Sequence, residues 1–206
     1  MIREQLIRRL YLQQGKSMKD ISTVLGCSVH KVQYWLDHYG IPRRSISEAI
    51  YLKHNPDGDP FRFDPPRTSV DWKLFGVGIG LYWGEGTKAN KSSVRLGNAD
   101  PELLKTFLAF LIRFFRIKKA DCRFGLQIFT DLDADEALDF WSKKLKIHKR
   151  QFYKILVTPS GSLGTYRTKS RYGVLTIYYN NCKLRDLLVG FLPSRTGIPY
   201  AAVAQR

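Results

Sequence analysis

The chain has 206 residues, of which 44% are hydrophobic and 13% aromatic, which excludes a disordered chain and predicts one or two domains with cores of their own. Its 34 lysines and arginines against 18 acidic residues give a net charge of +16, which predicts an anionic partner. The sequence shows no signal peptide and no apolar run near the roughly 20 residues of a membrane span, and its three scattered cysteines favour reduced thiols in the cytoplasm over a disulfide framework or a zinc cluster.

Residues 1–54 predict a module of three short helices. The first helix is predicted from an apolar stripe over the first ten residues. Ser17 caps the second helix and stands at capping-box distance from Asp20, and Ser28 caps the third after a glycine-containing turn. Two short helices joined by such a turn are typical of a helix-turn-helix. A three-helix bundle without DNA contacts is the alternative.

The third helix would place its polar side chains in the major groove of double-stranded DNA. The residues after it, 40–45, are predicted to form an extended basic arm that lies in an adjacent minor groove. The candidate DNA contacts of this module are His30, Lys31, Gln33, Tyr34, Arg43 and Arg44. The module resembles the small helix-turn-helix domains of site-specific recombinases and of many bacterial DNA-binding proteins.

A second domain is predicted beyond a linker. Four prolines within residues 55–71 favour a semi-rigid connection, and residues 72–206 then alternate between helical and strand patterns. Helices are predicted at 72–84, 101–115, 133–144 and 184–192, and strands at 92–97, 124–130, 152–157 and 174–179. These strands are too few and too unevenly spaced for a doubly wound parallel sheet, so the predicted fold class is α+β.

The second domain carries most of the excess charge. Between Phe140 and Arg185 there is no acidic residue, but there are eleven basic residues with tyrosines among them. This pattern favours a nucleic-acid interface; a solvated basic face and attraction to an anionic membrane are the alternatives. The candidate DNA contacts of this domain are Gln127, Lys149, Arg150, Arg167, Lys169 and Arg171.

A glycine stripe marks the first helix of this domain. Gly76, Gly80 and Gly84 recur every four residues, so they share one face of a helix. Each costs about 1 kcal/mol relative to alanine in a helix interior. Close contact with another helix would compensate, because a bare backbone lets a second backbone approach. Glu85 follows the stripe directly.

The segment Gly80-Leu-Tyr-Trp-Gly-Glu-Gly86 resembles the motif helix of LAGLIDADG homing endonucleases. The resemblance implies that Gly76, Gly80 and Gly84 pack against a second copy of the helix, and the single motif then implies a homodimer. It also implies a twisted antiparallel sheet in the DNA major groove and Mg²⁺ bound by Glu85 at the scissile phosphates. Lys154 or Lys169 would neutralise charge in the transition state. The motif departs from the family at Trp83, where an acid is common.

Two functions follow from these patterns. One is a homing-type endonuclease with Mg²⁺, and the other is a non-cleaving transcriptional regulator with the same two kinds of domain. In the second case Glu85 is a helix-end carboxylate without a metal. The four acids between Asp131 and Glu136 lack the spacing of a calcium loop and are predicted to cap the following helix instead.

Overall fold

The computed structural model describes residues 2–160 and 170–192. The chain divides into two compact units, Met1–Pro60 and Phe61–Arg206. Helices and one mixed four-stranded sheet make up these units, so the α+β class is confirmed. Within the described residues, no helix combines the length and the apolar character needed to cross a lipid bilayer.

The first unit is helical. Its helices are α1 (Glu4–Arg8), which continues into a π-helical turn (Arg9–Gln13), α2 (Met18–Val24), α3 (Val29–His38) and α4 (Ile46–His54). The predicted capping box is present: Ser17 Oγ accepts from the backbone N–H of Asp20, and the Asp20 carboxylate accepts from the backbone N–H of Ser17, both at 3.1 Å. Gly26 has a φ of +59°, a left-handed conformation that glycine adopts without steric cost and that allows the tight turn from α2 to α3.

The core of the first unit joins the helices that the apolar pattern predicts. Ile7, Ile21, Val32 and Leu36 are fully buried. Val24, which the pattern places on the core face of α2, is instead 58% exposed. Helix α2 spans only seven residues, and its buried residues are Ile21 and Ser22.

Residues 40–45 do not form the extended arm that the sequence predicts. The Arg44 guanidinium lies 4.0 Å from the centroid of the Tyr11 ring and donates to the carbonyl oxygens of Tyr11, Gly15 and Lys16. Its backbone N–H donates to Tyr11 Oη at 2.8 Å. The chain then enters α4, capped by Ser45, where the sequence reasoning expected no helix. Hydrogen bonds donated by Arg44 to residues much earlier in the chain therefore hold this segment against the first unit.

The described residues of the second unit form four α-helices and the sheet. The helices are α5 (Ser69–Glu85), α6 (Pro101–Phe115), α7 (Ala134–Leu145) and α8 (Cys182–Gly190). The strands are β1 (Val94–Asn98), β2 (Arg123–Phe129), β3 (Leu156–Thr158) and β4 (Val174–Tyr179). Two 3₁₀ turns, Lys119–Asp121 and Lys149–Gln151, precede β2 and β3. The strand predicted over 152–157 is therefore reduced to three residues.

The strands lie in the order β1-β4-β2-β3. Both β1 and β2 are antiparallel to β4, whereas β3 is parallel to β2. The wholly antiparallel sheet implied by the resemblance is therefore wrong. The physical reason is the crossover through α7, because a strand–helix–strand connection returns the chain in the same direction.

The second half of the predicted linker packs on the second unit. The backbone N–H groups of Arg62 and Asp64 donate to the carbonyls of Phe115 and Phe114 at 3.1 and 2.8 Å. These carbonyls end α6 and have no partner within the helix. The carboxylate of Asp64 also pairs with Arg116. Arg62 and Asp64 thus satisfy the end of α6, and the division between the two units falls within the predicted linker, between Pro60 and Phe61.

Helix α6 is buried on two sides. Asp100 caps it, as predicted, by accepting from the backbone N–H of Glu102 at 2.8 Å. Phe107, Phe110 and Phe114 of α6 are all fully buried, and Phe107 stacks on Tyr82 of α5 with ring centroids 6.1 Å apart. The rings of Phe110 and Phe114 also face α5, where the ring centroid of Phe75 lies 5.7 and 5.2 Å from theirs. Contact between α5 and α6 therefore enlarges the core beyond the predicted stripe.

Candidate nucleic-acid interface

The sheet of the second unit has a buried inner face and an accessible outer face. Leu96, Leu175, Ile177 and Phe124 point inward and are fully buried. The residues that alternate with them are half-buried or exposed, as expected for a sheet covered on one side. The outer-face residues of the three long strands are Arg95, Gly97, Arg123, Gly125, Gln127, Phe129, Val174, Thr176 and Tyr178. We call this set the outer sheet face.

A row of cationic and aromatic side chains crosses the outer sheet face. Arg95, Tyr178 and Arg123 are register partners on three adjacent strands. The Arg95 guanidinium lies 5.1 Å from the centroid of the Tyr178 ring, within cation–π range. Tyr153 meets the same ring edge-on at 5.3 Å. We call Arg95, Tyr178 and Arg123 the central row. It combines charges that attract phosphates with a ring that contacts sugars or bases.

The next row is nearly bare. It consists of Gly97, Thr176 and Gly125. A Cβ at Gly97 would lie 2.7 Å from Thr176 Oγ1, and one at Gly125 would lie 2.9 Å from the Tyr178 ring. The two glycines therefore let the side chains of β4 lie low across the sheet and keep the surface flat.

The structure separates the predicted contacts of the second unit. Gln127 lies on the outer sheet face, where its Nε2 donates to Thr158 Oγ1 at 3.2 Å. Lys154 is exposed beyond the 3₁₀ turn that precedes β3. Arg167 and Lys169 lie outside the described residues.

Two acidic residues of α7 neutralise part of the positive charge between Phe140 and Arg185. Asp139 pairs with Lys149; this hydrogen bond raises the pKa of Lys149 and lowers the pKa of Asp139. Glu136 pairs with Arg171 at 3.4 Å. Both acids precede the stretch in sequence, so its charge count overstates the charge available to a ligand. Arg150 instead lines a pocket beside β2.

The glycine stripe of α5 faces away from the rest of its own chain. A Cβ at Gly76, Gly80 or Gly84 would meet nothing within 4 Å. Beside the stripe, Trp72 and Trp83 are 61% and 56% exposed. The opposite side of α5 packs on α6 through Gly78, whose Cα lies against Phe110. The glycine that packs within the chain is thus one that the sequence reasoning left without a role.

Glu85 is exposed at the last position of α5. The chain then pairs at once with β1, through a bridge between Gly86 and Leu96 and a 3.0 Å bond from Thr87 N–H to the Arg95 carbonyl. Glu85 therefore lies where α5 meets the sheet.

Lys88, which sequence reasoning missed, donates to the Trp83 carbonyl at 2.5 Å.

One chain offers a divalent cation few ligands near Glu85. Within the described residues, no group of three or more His, Cys, Asp or Glu side chains is placed to hold a metal ion. Mg²⁺ needs few protein carboxylates, because it keeps several waters and binds substrate phosphates directly. Glu85 offers one such carboxylate at the C-terminal end of α5.

Helix α3 presents the predicted reading residues of the first unit. His30, Lys31 and Tyr34 are exposed, and Gln33 is half-buried. Tyr34 also stacks on the imidazole of the next turn, with ring centroids 5.9 Å apart. Of the two predicted arm residues, Arg43 pairs with Asp37 on α3 at 3.4 Å, and Arg44 is held by carbonyls.

Sequence reasoning missed Arg95, Arg123 and Tyr178, the residues of the central row. Their signal is alternation, since each follows or precedes a buried apolar residue within its strand. That pattern identifies the solvent side of a strand but does not reveal which strands are neighbours. No protein-family model, curated protein or solved structure matches this chain.

Proposed function

We propose that the protein is a sequence-specific double-stranded DNA-binding protein that acts as a homodimer and resembles a LAGLIDADG homing endonuclease. The observation that carries this proposal is the outer sheet face, on which Arg95, Tyr178 and Arg123 form one row across three strands. A flat, basic and aromatic sheet surface suits the sugar–phosphate backbone and the groove edges of a duplex. The net charge of +16 adds long-range attraction to DNA.

Helix α5 supports the homodimer. It carries apolar residues on all sides, and a helix of this kind is ordinarily buried on all sides. Here only one side packs on α6, while Trp72 and Trp83 are exposed beside the glycine stripe. A second copy of α5 would cover both tryptophans, and the glycines would let the two backbones come close.

The first unit would supply base contacts. His30 and Lys31 are exposed on the first turn of α3, the part of a recognition helix that reaches base edges in the major groove. Gln33 is suited to bidentate contact with adenine.

A cytoplasmic location completes this proposal and is supported by Cys27, Cys122 and Cys182, all of which are unbridged.

Cleavage is the second part of the proposal. In a dimer that pairs through α5, the two Glu85 carboxylates would hold Mg²⁺ near the DNA strands. The metal would stabilise charge on the oxygens of the phosphodiester. Lys154 or Lys169 would add positive charge there. The alternative is a non-cleaving transcriptional regulator with the same two kinds of domain, in which Glu85 binds no metal.

The proposal is tested by selecting duplexes from a random DNA library with the full-length chain and measuring the affinity for the enriched site. Arg95→Gln and Tyr178→Ala should each weaken binding, because they remove a phosphate-binding charge and the ring beneath it. Lys105→Gln is the charge control, since it removes one positive charge from a half-buried position on α6, outside the outer sheet face, where Lys105 pairs with Glu102. Enrichment of no site, or equal binding by all variants, would refute the proposal.

Catalysis is tested on the same enriched site. Cleavage in Mg²⁺ identifies an endonuclease, whereas tight binding without nicking in Mg²⁺ or Mn²⁺ identifies the regulator. Light scattering on the free protein and on the complex measures the stoichiometry. A monomer in both states would refute pairing through α5.

A further inference from the structure

A cationic pocket lies beside β2. Its volume is about 250 Å³, and its lining consists of Ala120, Arg123, His148, Arg150 and Gln151. Two guanidinium groups and an imidazole thus meet at one depression, and none of the lining residues is acidic. Such a lining favours an anion.

The pocket is built by one buried side chain. Gln151 is only 6% exposed, and its Nε2 donates to the carbonyls of Lys119 and Cys122 at 2.9 and 3.2 Å. Its Oε1 accepts from the backbone N–H of His148 at 3.1 Å. These bonds join the 3₁₀ turn before β2 to the one before β3, so the walls of the pocket are fixed relative to each other.

The two arginines are available to a ligand. Nη1 of Arg123 donates to the carbonyls of Ala120 and Cys122 at 3.3 and 3.2 Å, which orients the guanidinium and leaves its other N–H groups for an acceptor. Arg150 forms no ion pair with any residue that the structure describes. Its neighbour Lys149 is the residue that pairs with Asp139 of α7.

The pocket is continuous with the outer sheet face. Arg123 lines the pocket and is also the register partner of Tyr178 in the central row. A strand of nucleic acid that follows this row would therefore reach the pocket at the β2 end of the row. Guanidinium groups bind phosphate oxygens through paired, charge-assisted hydrogen bonds.

We propose that Arg123, His148 and Arg150 form a phosphate-binding pocket that holds one backbone phosphate of the bound DNA. The choice of DNA as the source of that phosphate rests on the proposed function, but the pocket itself does not. His148 contributes a further donor, and Gln151 acts as a positioning residue. The pocket would fix the register of the duplex on the sheet, because a phosphate held at one point limits sliding of the strand.

The first experiment measures inorganic phosphate directly. Phosphate is titrated into the full-length ¹⁵N-labelled protein at constant ionic strength, with chloride as the balancing anion. We expect saturable shifts of the backbone amides of Ala120 and Gln151. Arg150→Gln should weaken this binding about tenfold or more, since it removes a charge-assisted hydrogen bond.

Lys143→Gln is the matched control, because it removes one charge from an exposed position on α7 that does not line the pocket. It should bind phosphate as the wild type does. Absence of a saturable shift in the wild type, or equal weakening in both variants, would overturn the pocket.

The second experiment identifies the source of the phosphate. The affinity of wild type and Arg150→Gln for the selected duplex is measured over a range of salt concentrations. Loss of one phosphate contact should reduce the slope of log K against log salt by about 0.9, and Lys143→Gln should leave the slope unchanged.

The two experiments fail independently. If the pocket binds inorganic phosphate but the slope of Arg150→Gln equals that of the wild type, the DNA source is wrong and the pocket takes a free phosphate. If the wild type binds no duplex at all, the proposed function is refuted. The phosphate titration alone then decides whether the pocket binds phosphate.

Discussion

The Cα of Gly78 lies so close to the ring of Phe110 that a Cβ on the glycine would fall 2.1 Å from Phe110 Cγ. This contact joins α5 to α6, and Phe110 is fully buried. Gly78→Ala should therefore force the two helices apart. Overpacking of this kind costs about 1–3 kcal/mol, and urea denaturation of the full chain measures it.

Gly76→Ala is the control for this change. It lies on the same helix, but its Cβ would meet nothing within 4 Å. For the monomeric chain, at a protein concentration below that of dimer formation, the free energy of unfolding should stay equal or rise by up to about 1 kcal/mol, because alanine is the better helix former. Equal stability of both variants would show that α5 and α6 do not pack through Gly78.

Gly80→Leu tests the open side of the same helix. A leucine here has room within the chain but would occupy the space between two paired helices. We expect an intact fold by circular dichroism and loss of the dimer in sedimentation or light scattering. A dimer that survives Gly80→Leu would place the interface elsewhere.

The two sides of α5 show which helix contacts can be predicted from the sequence and which cannot. Spacing by four identified the stripe of Gly76, Gly80 and Gly84 and its separation from the chain's own core. Gly78 breaks that spacing, and its role depends on where Phe110 of another helix lies. Periodicity within a helix reports which residues share a face, but not which face meets a neighbour.

The same limit applies to charge and to the linker. Counting acids between Phe140 and Arg185 predicted an uncompensated basic surface, yet Asp139 and Glu136 reach into it from α7. Prolines correctly indicated irregular structure before α5, but the docking of Asp64 on Arg116 depends on tertiary contact. Local signals such as the caps at Ser17 and Asp100 were predicted reliably, because their partners lie within three residues.

The contact between Asp64 and Arg116 should make stability depend on acid pH. The hydrogen bond from Arg116 holds the pKa of Asp64 below its ordinary value of 3.8. A carboxyl whose pKa is lowered by folding stabilises the native state above that ordinary value, and this contribution is lost as the pH falls below it. Asp64→Asn should therefore be less stable than the wild type at pH 6, and the difference should shrink below pH 3.8.

Urea midpoints measured from pH 7 down to pH 2.5 test this expectation. Asp57→Asn is a suitable control, since Asp57 is exposed and lies in the first unit. A difference between Asp64→Asn and wild type that stays constant across this range would contradict an ionised carboxylate as the cause.

Lys149 and Lys154 should differ in their effect on DNA binding. Lys154 is exposed, so Lys154→Ala should reduce the slope of log K against log salt by about 0.9 if it contacts a phosphate. Lys149→Ala should change the slope less, because Lys149 already pairs with Asp139. Removing Lys149 also exposes a carboxylate, so a lower affinity at all salt concentrations is expected for it. A larger slope change for Lys149→Ala than for Lys154→Ala would show that the ion pair opens on DNA.

Glu85→Gln separates the catalytic from the structural role of the helix-end acid. The amide keeps the shape of the side chain but offers a divalent ion no negative charge. Stability should hold or rise slightly, because Glu85 is exposed at the C-terminal end of α5, where a negative charge is unfavourable to the helix dipole. DNA affinity should also hold, since the outer sheet face is unchanged.

The decisive measurement is nicking of a plasmid that carries the selected site, in Mg²⁺ and with EDTA as the metal-free control. An endonuclease would lose cutting on Glu85→Gln while it retained the dimer and the affinity for its site. A variant that cuts as fast as the wild type would exclude Glu85 as the metal ligand. A wild-type dimer that binds its site tightly and never nicks it would identify the regulator, in which Glu85 only ends the helix that joins the two chains.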